Sequence, residues 1–214
     1  MFKTGQNMMN RVFDVNNPIM RIFSKLFDLV VLNALFLIGC LPVVTIGVSL
    51  TAMYATTMKL VRDEPVSVVT NFIQAYKGNL KQGLFYWIIG LLIVTFLYVD
   101  SLFLFMIFPN QEAMIKMVFI ACLVFAYFIY LYIFPLMARY VYQTKEIYQT
   151  ALKVSLSNVP WSLLLFAMYL PLIGMLLFSG VTMILLCLFM ITIGFASIAF
   201  LRSAIFRKIF DKYE

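Results

Sequence analysis

The feature that most limits the fold is an almost unbroken apolar run over residues 26–61, which is 36 residues long. A helix needs only about 20 residues to cross a hydrocarbon core about 30 Å thick, so this run is long enough for two spans with a tight turn. Leu41-Pro42-Val43-Val44-Thr45-Ile46-Gly47 interrupts it with a proline and a glycine, which break helices or open them. We predict helices over residues 25–41 and 47–62 joined by a turn on the outer side; the alternative is one long, kinked helix.

The composition shows that the solvent for most of the chain is lipid. Of its 214 residues, 64% are apolar and 12% are charged, and the mean hydropathy is +1.00. Soluble domains average about 45–50% apolar and about 25% charged residues. We therefore expect one membrane domain over residues 1–214, with no separate soluble domain.

Four further apolar runs complete the predicted fold. They are expected to form spans at residues 84–108, 113–138, 160–178 and 181–201. Polar stretches before the third and fifth spans predict short interfacial helices on the cytoplasmic side, the first over residues 65–81 with Phe72, Ile73 and Tyr76 turned toward membrane or core. In that helix we expect these residues to face water: Asn71, Gln74, Lys77 and Lys81. The predicted fold class is all-α, with six transmembrane helices arranged as three hairpins.

The basic residues predict the orientation of the chain. The net charge is +7, and nearly all of the 16 Lys and Arg residues flank apolar spans. With the turn at residues 42–47 outside, only Lys116 lies outside, so the positive-inside rule places both termini in the cytoplasm. Anionic lipid headgroups at the inner face are then the expected partners, and nucleic acid is not.

The chemistry of the side chains argues against an enzyme. Histidine is absent, which removes the commonest general base and metal ligand. Cys40, Cys122 and Cys187 each stand alone among apolar residues, without the spacing of a zinc or redox site. We expect no catalytic residues, no metal and no cofactor.

Two sets of residues within the spans carry a structural or functional hypothesis. Asp100 is the only acid deep in a span, where an ionisable residue is costly and marks a functional candidate. We expect it to pair with Lys116 across a helical hairpin, although a role in binding a proton or cation stays open. Gly47, Thr51 and Ala55 recur every four residues and predict a face for close helix packing.

The first third of the chain resembles a known family. The resemblance rests on the element Leu-Pro-x-x-Thr-x-Gly at residues 41–47 and on the residues around it. Its matching positions are Asn33, Pro42, Thr45, Gly47, Tyr54, Arg62, Phe72, Lys77 and Asn79. Over roughly residues 20–90 the sequence resembles the YesL family of small bacterial membrane proteins, a domain of unknown function. The resemblance implies a bacterial cell membrane location and a link to carbohydrate uptake.

Two functional hypotheses follow. The first is a non-enzymatic accessory or regulatory membrane protein that contacts another membrane protein, such as a sugar-uptake system, through its basic inner face. The second is a small solute or ion transporter that uses Asp100. A stable co-purifying partner would favour the first, and proton- or cation-dependent flux in proteoliposomes would favour the second.

Overall fold

The computed structural model describes residues 18–107, 112–141 and 143–212. This part of the chain is built from α-helices, as the sequence predicts. The helices are α1 (Pro18–Gly39), α2 (Ile46–Val61), α3 (Val68–Gly78), α4 (Leu80–Ile107), α5 (Glu112–Arg139), α6 (Thr144–Ser157), α7 (Val159–Ala167), α8 (Leu170–Phe178), α9 (Gly180–Phe189) and α10 (Phe195–Phe210). A 3-10 turn at Val43–Thr45 precedes α2, and a π-helical turn at Met190–Gly194 joins α9 to α10.

Six helical stretches are long and apolar enough to cross a membrane, which confirms a polytopic all-α protein. They are Met20–Gly39, Val43–Val61, Leu80–Phe103, Lys116–Arg139, Val159–Phe178 and Gly180–Phe210. The fifth is interrupted at Met168 and Tyr169, just before Pro171, and proline is a common cause of such a break. The sixth continues to Phe210, so the prediction that it ends near residue 201 is wrong.

The turn between α1 and α2 explains the residues of the Leu-Pro-x-x-Thr-x-Gly element. Pro42 ends the first helix, and the Thr45 hydroxyl lies 2.8 Å from the carbonyl oxygen of Gly39 and 2.7 Å from that of Pro42. It thus satisfies acceptors that the end of a helix leaves free. Gly47 allows close packing, because a Cβ atom there would lie 2.8 Å from the Gly83 carbonyl oxygen and 2.8 Å from Trp87 Cβ.

This packing places the turn beside the first residues of α4. Twenty-four residues separate Gly83 from Ile107, about 36 Å of helix at 1.5 Å per residue. The turn and the connection after α4 therefore lie near opposite ends of that helix. The first hairpin thus packs against the start of α4, and the side of the membrane on which its turn lies stays a prediction.

Helix α3 runs beside α2 and is more deeply packed than the sequence predicts. Phe72 is buried, whereas Ile73 is 43% exposed. Asn71 does not face water: its amide donates to Thr56 Oγ1 at 3.0 Å, and its oxygen accepts from Lys59 Nζ at 2.6 Å. The helix ends at Gly78, where Asn79 Nδ2 donates to the Ala75 carbonyl, and α4 begins at once with Leu80.

The π-helical turn is held by a side chain from the first hairpin. Asn33 is fully buried, and its amide nitrogen donates to the carbonyl oxygens of Met190 at 3.0 Å and Ile191 at 2.8 Å. Its oxygen accepts from the backbone nitrogen of Ala196 at 3.1 Å. A π-turn leaves some backbone carbonyl and amide groups without their usual helical partners. The Asn33 side chain supplies a donor for the carbonyls and an acceptor for the amide.

Away from this turn, the start of α1 and the ends of α2, α5 and α10 meet in a cluster of charged residues, which we call the basic end. Its ion pairs are Lys25 with Asp63 at 2.5 Å, Arg62 with Glu64 at 3.7 Å, and Asp211 with Arg139 at 2.7 Å and with Arg207 at 3.7 Å. Lys25 holds the pKa of Asp63 below its usual range through a hydrogen bond and its charge, and Arg139 does the same for Asp211. The basic end thus joins α1, α2, α5 and α10.

A candidate binding cavity beside a buried arginine

A cavity of about 410 Å³ lies between α1, α2, α4, α5, α8, the π-helical turn and α10. Most of its wall is apolar or aromatic. The lining residues are Phe36, Ile46, Leu50, Met53, Tyr54, Trp87, Tyr127, Tyr130, Leu131, Phe134, Tyr169, Leu172, Met190, Phe195, Ile198, Ala199 and Arg202. A concave, mostly apolar site with a few polar groups is the usual form of a small-molecule pocket.

Among the described residues that line the cavity, Arg202 is the only charged one, and 5% of its surface is exposed. Its guanidinium donates a hydrogen bond to the Tyr169 hydroxyl. The same group lies 5.1 Å from the centre of the Tyr169 ring and 6.0 Å from that of Phe206, which are cation–π contacts. No Asp or Glu of the described residues lines the cavity, so the buried charge faces aromatic rings and hydroxyls instead of a carboxylate.

Three hydrogen-bond donors around the cavity are buried without a partner. Among the described residues, Arg202 Nε, Tyr127 Oη and Trp87 Nε1 are buried and make no hydrogen bond of normal geometry, although the Tyr127 hydroxyl lies close enough to the Arg202 guanidinium to interact with it. The Tyr130 hydroxyl differs, because it donates to the Tyr86 carbonyl at 3.1 Å. Unpaired buried polar groups cost free energy, and each one calls for an explanation. All three can donate a hydrogen bond, so the cavity is suited to an acceptor.

A second cavity of about 390 Å³ shares Trp87, Tyr127 and Tyr130 with the first. It lies between α4 and α5 and is otherwise lined by Gly90, Leu91, Ile93, Val94, Leu123 and Ala126. Every one of those six residues is apolar. Its wall therefore matches a hydrocarbon chain and offers no polar group of its own beyond the three shared residues.

Of the residues singled out from the sequence, only Tyr54 lines the first cavity. It packs edge to face on Phe206, with ring centres 5.8 Å apart. Asn33, Thr45 and Gly47 have the structural roles described above. Phe72 is buried beside Tyr76, whereas Arg62 and Lys77 are exposed.

The other predicted residues lie away from the cavity. Asp100 on α4 and Lys116 on α5 are both exposed on the helical surface, and the Asp100–Lys116 contact stays a prediction. Gly47 and Thr51 are buried and Ala55 is half-buried, and the Thr51 hydroxyl donates to the Gly47 carbonyl at 3.0 Å. Across the described residues there is no group of three or more Cys, Asp or Glu that could hold a metal ion.

Sequence analysis did not single out Arg202. It follows an apolar span, where a basic residue is usually an interfacial flank. The signal was the helical spacing of Ala199, Arg202, Phe206 and Phe210, which continues the buried face past residue 201.

Comparison with known proteins gives one match. The model of a family described as a protein of unknown function, DUF624, matches residues 29–101, roughly a third of the chain. No curated protein matches the chain. No solved structure matches it either. The matched part of the chain includes Asn33, the turn at 42–47, Tyr54 and Trp87, and three cavity residues lie beyond it: Tyr127, Tyr169 and Arg202. Over residues 29–101 the chain is thus similar to a family without an assigned activity.

Proposed function

We propose that the chain is a non-enzymatic, multi-pass protein of the bacterial plasma membrane that works as an accessory or regulatory component. Its basic end lies on the cytoplasmic side, with both termini there. The observation that carries this proposal is the convergence of basic residues at one end of the fold: Lys25, Arg62, Arg139 and Arg207 outnumber the acids that they pair with, and the exposed Lys208 lies beside Arg207 on α10. Such a surface attracts anionic lipid headgroups and acidic surfaces of other proteins.

The proposal extends to the orientation of the first hairpin. Tyr86 and Trp87 lie near the start of α4, where tyrosine and tryptophan commonly mark the membrane interface, and Gly47 packs on Trp87. The turn therefore sits at the inner membrane surface, where its exposed side chains meet the headgroup region; Leu41 is 79% exposed and Val43 is 62% exposed. In this arrangement α1 and α2 pack on the inner side without crossing the bilayer, so no basic residue changes side and the positive-inside rule is satisfied equally well.

The YesL-like motif gives the proposal its cellular context. That family resemblance implies a link to carbohydrate uptake, and the partner we propose is a membrane component of a sugar-uptake system. The residues of the motif that the structure describes support folding rather than chemistry: Thr45 caps a helix end, Gly47 permits close packing and Asn33 binds the π-turn. An accessory role, which needs a defined shape and a charged surface, fits that pattern.

Affinity purification in mild detergent tests the proposal. The wild-type chain is expected to retain a membrane partner that is lost when Arg62 and Lys208, both exposed near the basic end, are changed to Glu. Lys116→Glu, near the far end of α5, is the matched control and should retain the partner. Equal loss in both variants, or retention in both, would contradict a partner site at the basic end.

A further inference from the structure

The two cavities and the unpaired donors point to a ligand that none of the comparisons assigns. Trp87 Nε1, Tyr127 Oη and Arg202 Nε are buried donors that make no hydrogen bond of normal geometry, and all three residues line the larger cavity. Donors bind acceptors, and the guanidinium adds a positive charge that no carboxylate of the described residues balances within the lining. The complementary group is therefore an anionic oxygen.

The surroundings of those donors define the rest of the ligand. Besides Arg202 the larger cavity is lined by apolar and aromatic side chains, and the adjoining cavity by apolar ones alone beyond the three shared residues. A small hydrophilic anion would leave these walls uncovered. A molecule with an alkyl chain covers them and gains the free energy of burying apolar surface.

We propose that this site binds a long-chain amphiphile with a single anionic head group, a carboxylate or a phosphate. The head group accepts hydrogen bonds from Arg202, Tyr127 and Trp87. The alkyl chain lies against the aromatic walls and extends into the adjoining cavity beside Val94 and Leu123. The ligand neutralises a buried charge and provides partners for three buried donors, so it stabilises the fold when bound.

The emission of Trp87 can report binding directly. The chain has two tryptophans, so Trp161→Phe leaves Trp87 as the only one. This variant, purified in mild detergent, is titrated with oleate, with phosphatidylglycerol in mixed micelles, with oleyl alcohol and with inorganic phosphate. We expect saturable changes in Trp87 emission with one or both anionic amphiphiles, and about tenfold weaker binding or none with oleyl alcohol or phosphate. Oleate and phosphatidylglycerol distinguish a carboxylate from a phosphate head group.

Matched variants separate the arginine from general effects of charge. Arg202→Gln should weaken binding of the anionic amphiphile by about tenfold or more. Arg207→Gln changes an exposed arginine further along the same helix and should leave the affinity unchanged. Tyr127→Phe removes one donor without changing charge and is expected to weaken binding severalfold. Tyr148→Phe, at a hydroxyl that is outside both cavities, is its control. If Arg202→Gln does not fold, the Tyr127 pair decides the question.

Chain length tests the second cavity. Val94→Phe fills part of its space and should weaken oleate severalfold while leaving octanoate unchanged. Three results would overturn the proposal: oleyl alcohol binding as tightly as oleate, inorganic phosphate binding as tightly as either amphiphile, or equal affinities in Arg202→Gln and Arg207→Gln. Absence of any saturable change in Trp87 emission with all four compounds would overturn it as well.

Discussion

Gly47 and Gly83 are in direct contact, since a Cβ atom at Gly47 would lie 2.8 Å from the Gly83 carbonyl oxygen. The pair joins the turn of the first hairpin to the start of α4. Both positions lack a side chain, so the backbones of α2 and α4 approach closely enough for van der Waals packing to hold them without apolar driving force from water. This contact fixes where along α4 the first hairpin packs.

Substitution at Gly47 should therefore disturb the fold. Gly47→Ala places a methyl group against the Gly83 carbonyl, Trp87 Cβ and the Phe134 ring, all within 2.9 Å, and overpacking of this kind costs about 1–3 kcal/mol. Gly174→Ala is the matched control, because no atom of the described part of the chain lies within 4 Å of its Cβ position. We expect the first variant to lower the thermal midpoint in detergent and the second to leave it unchanged or raise it. An equal midpoint for both variants would contradict the close contact.

The bonds of Asn33 predict a second loss of stability. Asn33→Leu keeps the volume but leaves the Met190 and Ile191 carbonyls and the Ala196 amide without this partner, at a cost of about 1–3 kcal/mol for each group that stays unsatisfied. Asn79→Ala removes a local bond to Ala75 within one helix end and should cost less. Thermal unfolding of both variants checks the order. A larger loss for Asn79→Ala would show that Asn33 does not hold the π-turn.

Asp100 and Lys116 give a test that separates structure from transport. Breaking a buried ion pair by removing one partner typically costs about 3–5 kcal/mol, whereas replacing both can be neutral. If the two residues pair within the membrane, Asp100→Asn lowers thermal stability and Asp100→Asn with Lys116→Gln recovers most of the loss. If the single variant keeps its stability but loses a proton- or cation-dependent flux in proteoliposomes, Asp100 belongs to a transport pathway instead.

The basic end should make stability depend on pH in the acid range. The pKa values of Asp63 and Asp211 are lowered in the folded chain by Lys25 and Arg139, so folding favours their ionised forms. Their contribution is present above the ordinary carboxyl pKa and is lost as pH falls through the lowered folded values. Thermal midpoints measured from pH 7 down to pH 3 should fall. In Asp211→Asn the fall should be shallower, and an unchanged slope would mean that this pair is unimportant.

The positions of the helices could be predicted from the sequence, but not how far each helix is shifted along its neighbours. Apolar runs, Pro42, Pro160 and Pro171 act locally, so the helical stretches and the break before Pro171 could be predicted from them. The level of the first hairpin depends on which residues touch across the fold, and the positive-inside rule holds with the turn on either side. Arg202 was missed for a related reason: its burial depends on Tyr54, Tyr127 and Tyr169, which come from three other segments.

Labelling of a cysteine in the first turn tests the central claim most directly. In a chain whose three native cysteines are replaced, Val43→Cys and Phe178→Cys each carry a single thiol at an exposed position, 62% and 87% exposed respectively. The Phe178 position lies at the end of α8 and should react with a membrane-impermeant maleimide added to intact cells. The Val43 position should react only in inverted membrane vesicles, where the inner face is accessible. Reaction of Val43→Cys from outside intact cells, at the rate of Phe178→Cys, would contradict the inner position of the turn.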